Sequence, residues 1–312
     1  MNKQTPVTEY EVYLQKEKYT RSTVNGYLKG AEKFTDWCIK KGTSAAQIDY
    51  KTLLKYIQYL QTKENTKSTV QHQIGTLKVY FKYLLFEHYR VDNPIETINI
   101  KGVKRVMSYN ILTPDELEDL YYSFNTENYQ EAYHRLTSKR NKIIVGLLVY
   151  QGLNTTELKQ LELDDLQLYK GKMYIKSGAR SKARVLELKS WQIIELLEYV
   201  KEIREEIIIH HQKRFPLWGN VEDKGEERLF IPNNARLDVT VLNIVKKLKR
   251  INNKVKNTHQ IRASVITNWL KQYNLREVQI LAGHRYISST ERYLQDDLEN
   301  LHEIVNNFHP IS

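Results

Sequence analysis

Residues 259–294 read HQIRASVITNWLKQYNLREVQILAGHRYISSTERYL, and four side chains within them set the reading of the whole chain. They are His259 and Arg262, three apart; His284, directly after Gly283; and Tyr293, nine residues beyond His284. The apolar spacing predicts helices over His259–Gln272, Leu275–Ala282 and Ser288–Tyr293. Singly, each of the four is commonplace. A histidine three residues from an arginine on a helix is ordinarily a surface pair, and Tyr293 is one of 22 tyrosines. Together they meet the needs of metal-free phosphodiester cleavage: a nucleophile, donors for charge growing on the non-bridging oxygens, and a proton source for the leaving oxygen. A guanidinium holds phosphate oxygens through a two-pronged fork, and an imidazole donates a hydrogen bond or exchanges a proton near neutral pH.

Moving outward toward the N-terminus, helices are predicted over Val239–Lys249, Trp191–Ile209, Thr155–Leu161 and Asn141–Tyr150. A β-hairpin is predicted over Lys172–Leu188, a short strand at Leu229–Ile231 and a polar loop over His210–Glu227. Thr113-Pro114-Asp115-Glu116 opens another helix with a cap, a proline at its first position and acids in its first turn. The first hundred residues carry amphipathic helices over Thr20–Lys41, with Ser22 or Thr23 as the cap and Gly42 as the stop, Asp49–Lys63 and Thr66–His88. Asn93-Pro94 closes the last of these. The chain is therefore expected to be mainly α with a small β-sheet. Residues 1–100 form a helical bundle of four or five helices, 101–110 a basic linker and 111–312 a second domain.

The 312 residues suit two domains, and a formal charge of +11 with a pI near 9.3 favours a polyanionic partner, nucleic acid or an anionic membrane surface. Residues 1–110 hold 18 Lys/Arg against 10 Asp/Glu, so the excess belongs mainly to the first domain. No apolar run reaches the roughly 20 residues a membrane-spanning helix needs, and the first residues match neither a signal nor a transit peptide, which predicts a soluble cytoplasmic chain. The lone cysteine, Cys38, rules out an internal disulfide or a cysteine-cluster zinc site and is expected in the core.

The motif His-x-x-Arg, Gly-His and a tyrosine nine residues on, with Leu-Arg-x-Val-Gln-x-Leu-x-Gly-His between and Ile-Ser-Ser-Thr-x-Arg before the tyrosine, resembles the C-terminal signature of the tyrosine recombinases, or phage integrases. The likeness covers nearly the whole chain, because the N-terminal bundle, Asn-Pro, basic linker and Leu-Thr-Pro-Asp-Glu-Leu are similar to the Xer type. It implies a SAM-like core-binding domain followed by an α+β catalytic domain, the two closing on duplex DNA as a C-shaped clamp. It further implies Tyr293 as a nucleophile forming a 3′-phosphotyrosyl link, Arg262 as a phosphate clamp, and His259 and His284 as hydrogen-bond partners of the transition state. The expected activity is site-specific recombination, with no metal or other cofactor, by a tetramer on two DNA sites that is a monomer or dimer when free. Leu298, Leu301, Ile304, Val305 and Phe308 in the tail would pack on a neighbouring subunit or fold back on their own domain.

The family's catalytic lysine lies on the hairpin, where Lys176 is the first candidate and Lys182 the second. Its supporting acid corresponds to Glu157. One position departs: where the family has Gly-Leu-Arg, this chain reads Gly152-Leu153-Asn154. Loss of a charged donor there is expected to cost about 10²- to 10³-fold in rate, by analogy with oxyanion-hole deletions. Either a guanidinium from elsewhere, Arg180 or Arg140, takes the vacant place, or the chain is an impaired DNA-binding accessory protein of the same fold. A type IB topoisomerase would share the chemistry, but the compact bundle and short tail disfavour it.

Overall fold

A computed structural model describes residues 5–63, 66–102, 110–127, 129–179, 181–214, 227–232 and 236–294. The chain divides into two compact units, Met1–Arg105 and Val106–Ser312. Arg180 and the tail positions from Leu298 to Phe308 lie outside the described residues, as does most of the basic linker.

The first unit holds four helices: α1 (Thr5–Lys16), α2 (Arg21–Lys40), α3 (Tyr50–Thr62) and α4 (Lys67–Phe86). Each of the last three starts on a side-chain oxygen that accepts a backbone N–H three residues on: Thr20 from Thr23, Asp49 from Thr52 and Thr66 from Thr69. The cap of α2 is thus Thr20, ahead of the expected Ser22 or Thr23, because the helix begins at Arg21. Helix α1 carries no strong apolar period, so the expected four or five helices include one that the spacing does not locate; its Tyr10 and Leu14 sit in the core. Phe34, Cys38, Leu53, Ile57, Ile74, Leu77 and Phe81 belong to the same core. Helices α2 and α4 cross where Gly30 faces Thr76, leaving no room for a Cβ at Gly30. The Arg90 guanidinium lies over the Phe81 ring and donates to the carbonyls of Ala45, Ala46 and Ile48.

The second unit contains α5 (Pro114–Tyr122), α6 (Ala132–Val149), α7 (Thr155–Gln160), strands β1 (Leu166–Gln167), β2 (Lys172–Ile175) and β3 (Arg184–Glu187), then α8 (Ser190–Glu198), α9 (Arg204–Arg214), α10 (Leu237–Ile251), α11 (Thr258–Leu270) and α12 (Leu275–Ala282). Residues 288–294 are again helical. The sheet is antiparallel in the order β1-β2-β3, with Met173 opposite Leu186 and Ile175 opposite Arg184. Met173, Ile175, Arg184 and Leu186 face inward; Tyr174, Val185 and Glu187 face out. Three expectations are corrected. The helix expected from Asn141 begins at Ala132; one π-type turn, Tyr199–Ile203, carries α8 directly into α9, which runs to Arg214 through residues expected in a loop; and Leu229–Ile231 is not a strand. Those three residues are instead a buried extended segment, held by Tyr199 Oη donating to the Leu229 carbonyl at 3.0 Å.

Helix α11 runs through the middle of this unit with every residue from Gln260 to Asn268 buried. Its polar side chains are satisfied by main chain: Ser264 Oγ accepts from Leu112 N–H, Asn268 donates to the Leu112 carbonyl, and Gln260 donates to the Asn110 and Lys254 carbonyls. No helix among the described residues is long and apolar enough to cross a membrane.

Candidate active site

Helix α7 begins with Asn154 as its cap. Asn154 Oδ1 accepts from Glu157 N–H at 2.9 Å, and Glu157 Oε2 accepts from Asn154 N–H at 3.0 Å. This reciprocal box aims the Glu157 carboxylate into the interior, where its side chain is 4% exposed. Two guanidiniums meet it there. Arg184 Nη1 donates to Glu157 Oε1 at 2.8 Å and Arg262 Nη1 to Glu157 Oε2 at 3.3 Å. Arg262, from the buried α11, also donates to the carbonyls of Gly152 and Ala282, both at 2.6 Å, which fixes its plane. Burial alone would raise the Glu157 pKa, but the Arg184 hydrogen bond and the charges of Arg184 and Arg262 outweigh it and hold the carboxyl below its usual range. The buried trio thus keeps one net positive charge.

Gly283 ends α12 in the left-handed region, φ +67°, and turns the chain so that His284 follows immediately. A Cβ at Gly283 would lie 2.5 Å from Arg184 Nη1, so this glycine is required both by its backbone and by its neighbour. The hairpin is joined to the same corner: Lys182 N–H donates to the Gly283 carbonyl at 2.9 Å, and Ser181 and His284 form a bridge. His284 Nδ1 is paired with Thr290 Oγ1 at 2.9 Å, and its ring stacks on that of Tyr293, centroids 5.8 Å apart and planes 12° from parallel. Burial first, then the charges of Arg262, Arg184 and Arg292, push the His284 pKa down to about 4, against the opposing pull of Glu157. Its imidazole is therefore neutral at pH 7, with one donor and one acceptor nitrogen. Tyr293 packs on Ile266, Val278 and Ala282, and its phenol is near enough to the Arg262 guanidinium to favour that group's charged form.

Arg262, His284, Tyr293 and Glu157 accordingly converge, with Asn154 at their edge as a helix cap. His259 is exposed on the first turn of α11, one turn ahead of Arg262. Lys176 lies at the end of β2, where it is paired with Glu162 and stands 3.8 Å from Asp165, while Lys182 is exposed next to the Gly283 corner. Arg140 is buried with its donors on the Asn141 side chain and the Ile231 carbonyl, which removes it as the replacement guanidinium. The arginine that joins Arg262 on Glu157 is Arg184, which sequence reasoning placed only as a strand residue. A signal was present: in Arg184-Val185-Leu186-Glu187-Leu188 the arginine shares its period-two phase with two leucines, and so must face the core.

This arrangement can grip an anion beside a phenol: a held guanidinium, a neutral imidazole and an aromatic hydroxyl on one corner. Residues 110–300 match the Phage integrase family, and residues 7–88 match Phage integrase, N-terminal SAM-like domain. Among curated proteins, Tyrosine recombinase XerC of Bacillus pumilus is 26% identical over 318 residues, covering 99% of this chain and 97% of its own length. The TnP I resolvase of Bacillus thuringiensis is 26% identical, covering 91% and 93%. Among solved structures, the XerH site-specific recombinase bound to palindromic difH substrate, a post-cleavage complex, superposes with a TM-score of 0.65 at 21% identity, covering 96% of this chain and 84% of that one. With both family matches in register with the two units, and the larger spanning more than half the sequence, the chain belongs to the phage integrase family of tyrosine recombinases.

Proposed function

We propose that this protein cuts and rejoins duplex DNA at specific sites with Tyr293 as the nucleophile. The observation that carries the reading is the Tyr293 ring stacked on a neutral His284, close to the guanidinium of Arg262 that main-chain carbonyls fix in place. The phenolic oxygen attacks phosphorus, the bond to the 5′ oxygen breaks, and the strand is held as a 3′-phosphotyrosine. The phenol gives up one proton and the leaving oxygen gains one. The phosphotyrosine conserves the energy of the broken bond, so rejoining requires no nucleotide hydrolysis. Arg262 holds the non-bridging oxygens, and His259 and His284 donate hydrogen bonds to them. Of the hairpin lysines, Lys182 is assigned the proton for the 5′ oxygen ahead of Lys176, because its backbone is tied to the Gly283 corner while Lys176 is occupied by carboxylates.

The basic first unit neutralises backbone phosphates, four copies act on two DNA sites, and the protein works in the bacterial cytoplasm. Duplex DNA retained from a random pool, nicked near its centre to trap the intermediate, tests the chemistry. Wild type should become covalently attached and Tyr293→Phe should not. Tight retention without any adduct would replace this reading with that of a DNA-binding accessory protein, which the uncharged Asn154 would then explain.

A further inference from the structure

Arg184 is the most tightly enclosed charge beside the nucleophile, its side chain 1% exposed. Only Nη1 is used, on Glu157; Nε and Nη2 are buried and find no hydrogen-bond partner among the described residues. Leaving a buried donor unsatisfied forfeits its hydration without return, and more so on a charged group, so two on one guanidinium mark a place where an acceptor belongs. Nε and Nη2 form one edge of the planar fork, the edge that takes two oxygens of a phosphate side by side. Arg184 also lies at the seam between the hairpin and Gly283–His284, closed here by the Lys182 to Gly283 hydrogen bond and the Ser181 bridge.

We propose that Arg184 is the second phosphate-binding guanidinium of this enzyme: its idle Nε–Nη2 edge takes the non-bridging oxygens of the scissile phosphate, in place of the arginine that Asn154 does not supply. The inference rests on the recombinase reading above. Asn154 and Arg184 are both joined to the Glu157 carboxylate, one through its backbone N–H on Oε2 and one through Nη1 on Oε1, so both border the same acid. With Arg262 on the other carboxylate oxygen, the site keeps two guanidiniums around one acid. The phosphate enters as the seam opens, which gives up the Lys182 to Gly283 hydrogen bond, and it supplies the acceptors that Nε and Nη2 lack while Nη1 stays on Glu157.

The test compares full-length wild type, Arg184→Gln, Arg184→Lys and the double variant Arg184→Gln/Asn154→Arg in two assays. In thermal unfolding, with inorganic phosphate set against chloride at equal ionic strength and pH, wild type should melt several degrees higher in phosphate, to order of magnitude, and Arg184→Gln should lose that gain. In covalent capture on the nicked duplex, Arg184→Gln should fall about 10²- to 10³-fold while still retaining DNA, and the double variant should recover at least about tenfold. Equal phosphate protection in wild type and Arg184→Gln overturns the proposal, as does lost capture that Asn154→Arg fails to restore, since either result makes Arg184 a structural strut for Glu157. Should Arg184→Gln not fold, Arg184→Lys decides: it keeps the charge but not the fork, and undiminished capture would overturn the proposal. A wild type that forms no adduct yet shows Arg184-dependent phosphate protection would sink the strand-cleavage reading and uphold Arg184 as the phosphate ligand.

Discussion

The two units bury different things. In the first, Thr76 and the Arg90 side chain are the enclosed polar groups besides tyrosines among the described residues, and the helices meet through aromatic and aliphatic side chains. The second encloses Arg140, Glu157, Asp165, Arg184, Arg204 and Arg262. Burying charges is a poor way to gain stability, because desolvation offsets much of the attraction even in a good pair. The first unit is therefore built to persist and to present a basic exterior, whereas the second spends stability on holding guanidiniums around one carboxylate beside a tyrosine.

The largest expected effect breaks this contrast at its centre. Glu157→Gln leaves two buried guanidiniums without their acid and should destabilise the second unit by about 3–5 kcal/mol. Hydrogen exchange followed unit by unit should show lost protection there and none in the bundle; a bundle that loosens equally would deny the separation. Leu77→Ala is the mirror experiment, since removing a fully buried side chain from the first core costs about 2–5 kcal/mol and should weaken DNA retention while sparing protection around α11. Next comes Gly283→Ala. The left-handed backbone costs about 1–2 kcal/mol with a side chain, and the new Cβ would press on Arg184, so covalent capture should fall further than the melting temperature suggests. Thr66→Ala removes a cap in the bundle and should cost about 1 kcal/mol with no change in capture by the remaining folded protein.

A further effect is one of pH. His284 titrates at about 4 in the folded chain, below the ordinary value of 6.5, so between those values the unfolded chain binds a proton that the folded one refuses. Its contribution to stability is full above pH 6.5 and is lost as pH falls toward 4. Wild type should lose stability more steeply across that window than His284→Gln, and identical slopes would mean the imidazole is not held neutral.

Much of the first unit was legible because its helices are half-exposed, and an apolar stripe against a polar face writes its period into the sequence. Helices α2, α3 and α4 fall within a residue or two of the expected spans. The second unit hid more. The first half of α6 and the join of α8 to α9 carry mixed residues whose burial depends on neighbours distant in the chain, and Leu229–Ile231 has strand-like composition but pairs with no strand. For the candidate site, the motif drew attention to Arg262, His284 and Tyr293 because motif residues sit close in sequence on consecutive turns. It could not show that Lys176 would be taken by Glu162 and Asp165, nor that Arg140 would be spent on the Ile231 carbonyl.

What the sequence determined by itself is local: which residue types stand three and nine positions apart, which helices carry their own apolar face, and where glycine and proline stop them. What only the tertiary structure decided is which distant groups share one carboxylate and which imidazole loses its charge. Those outcomes depend on burial and on Coulomb interactions between residues as far apart as Glu157 and Arg262, and such energies are set by distance in space rather than by order along the chain.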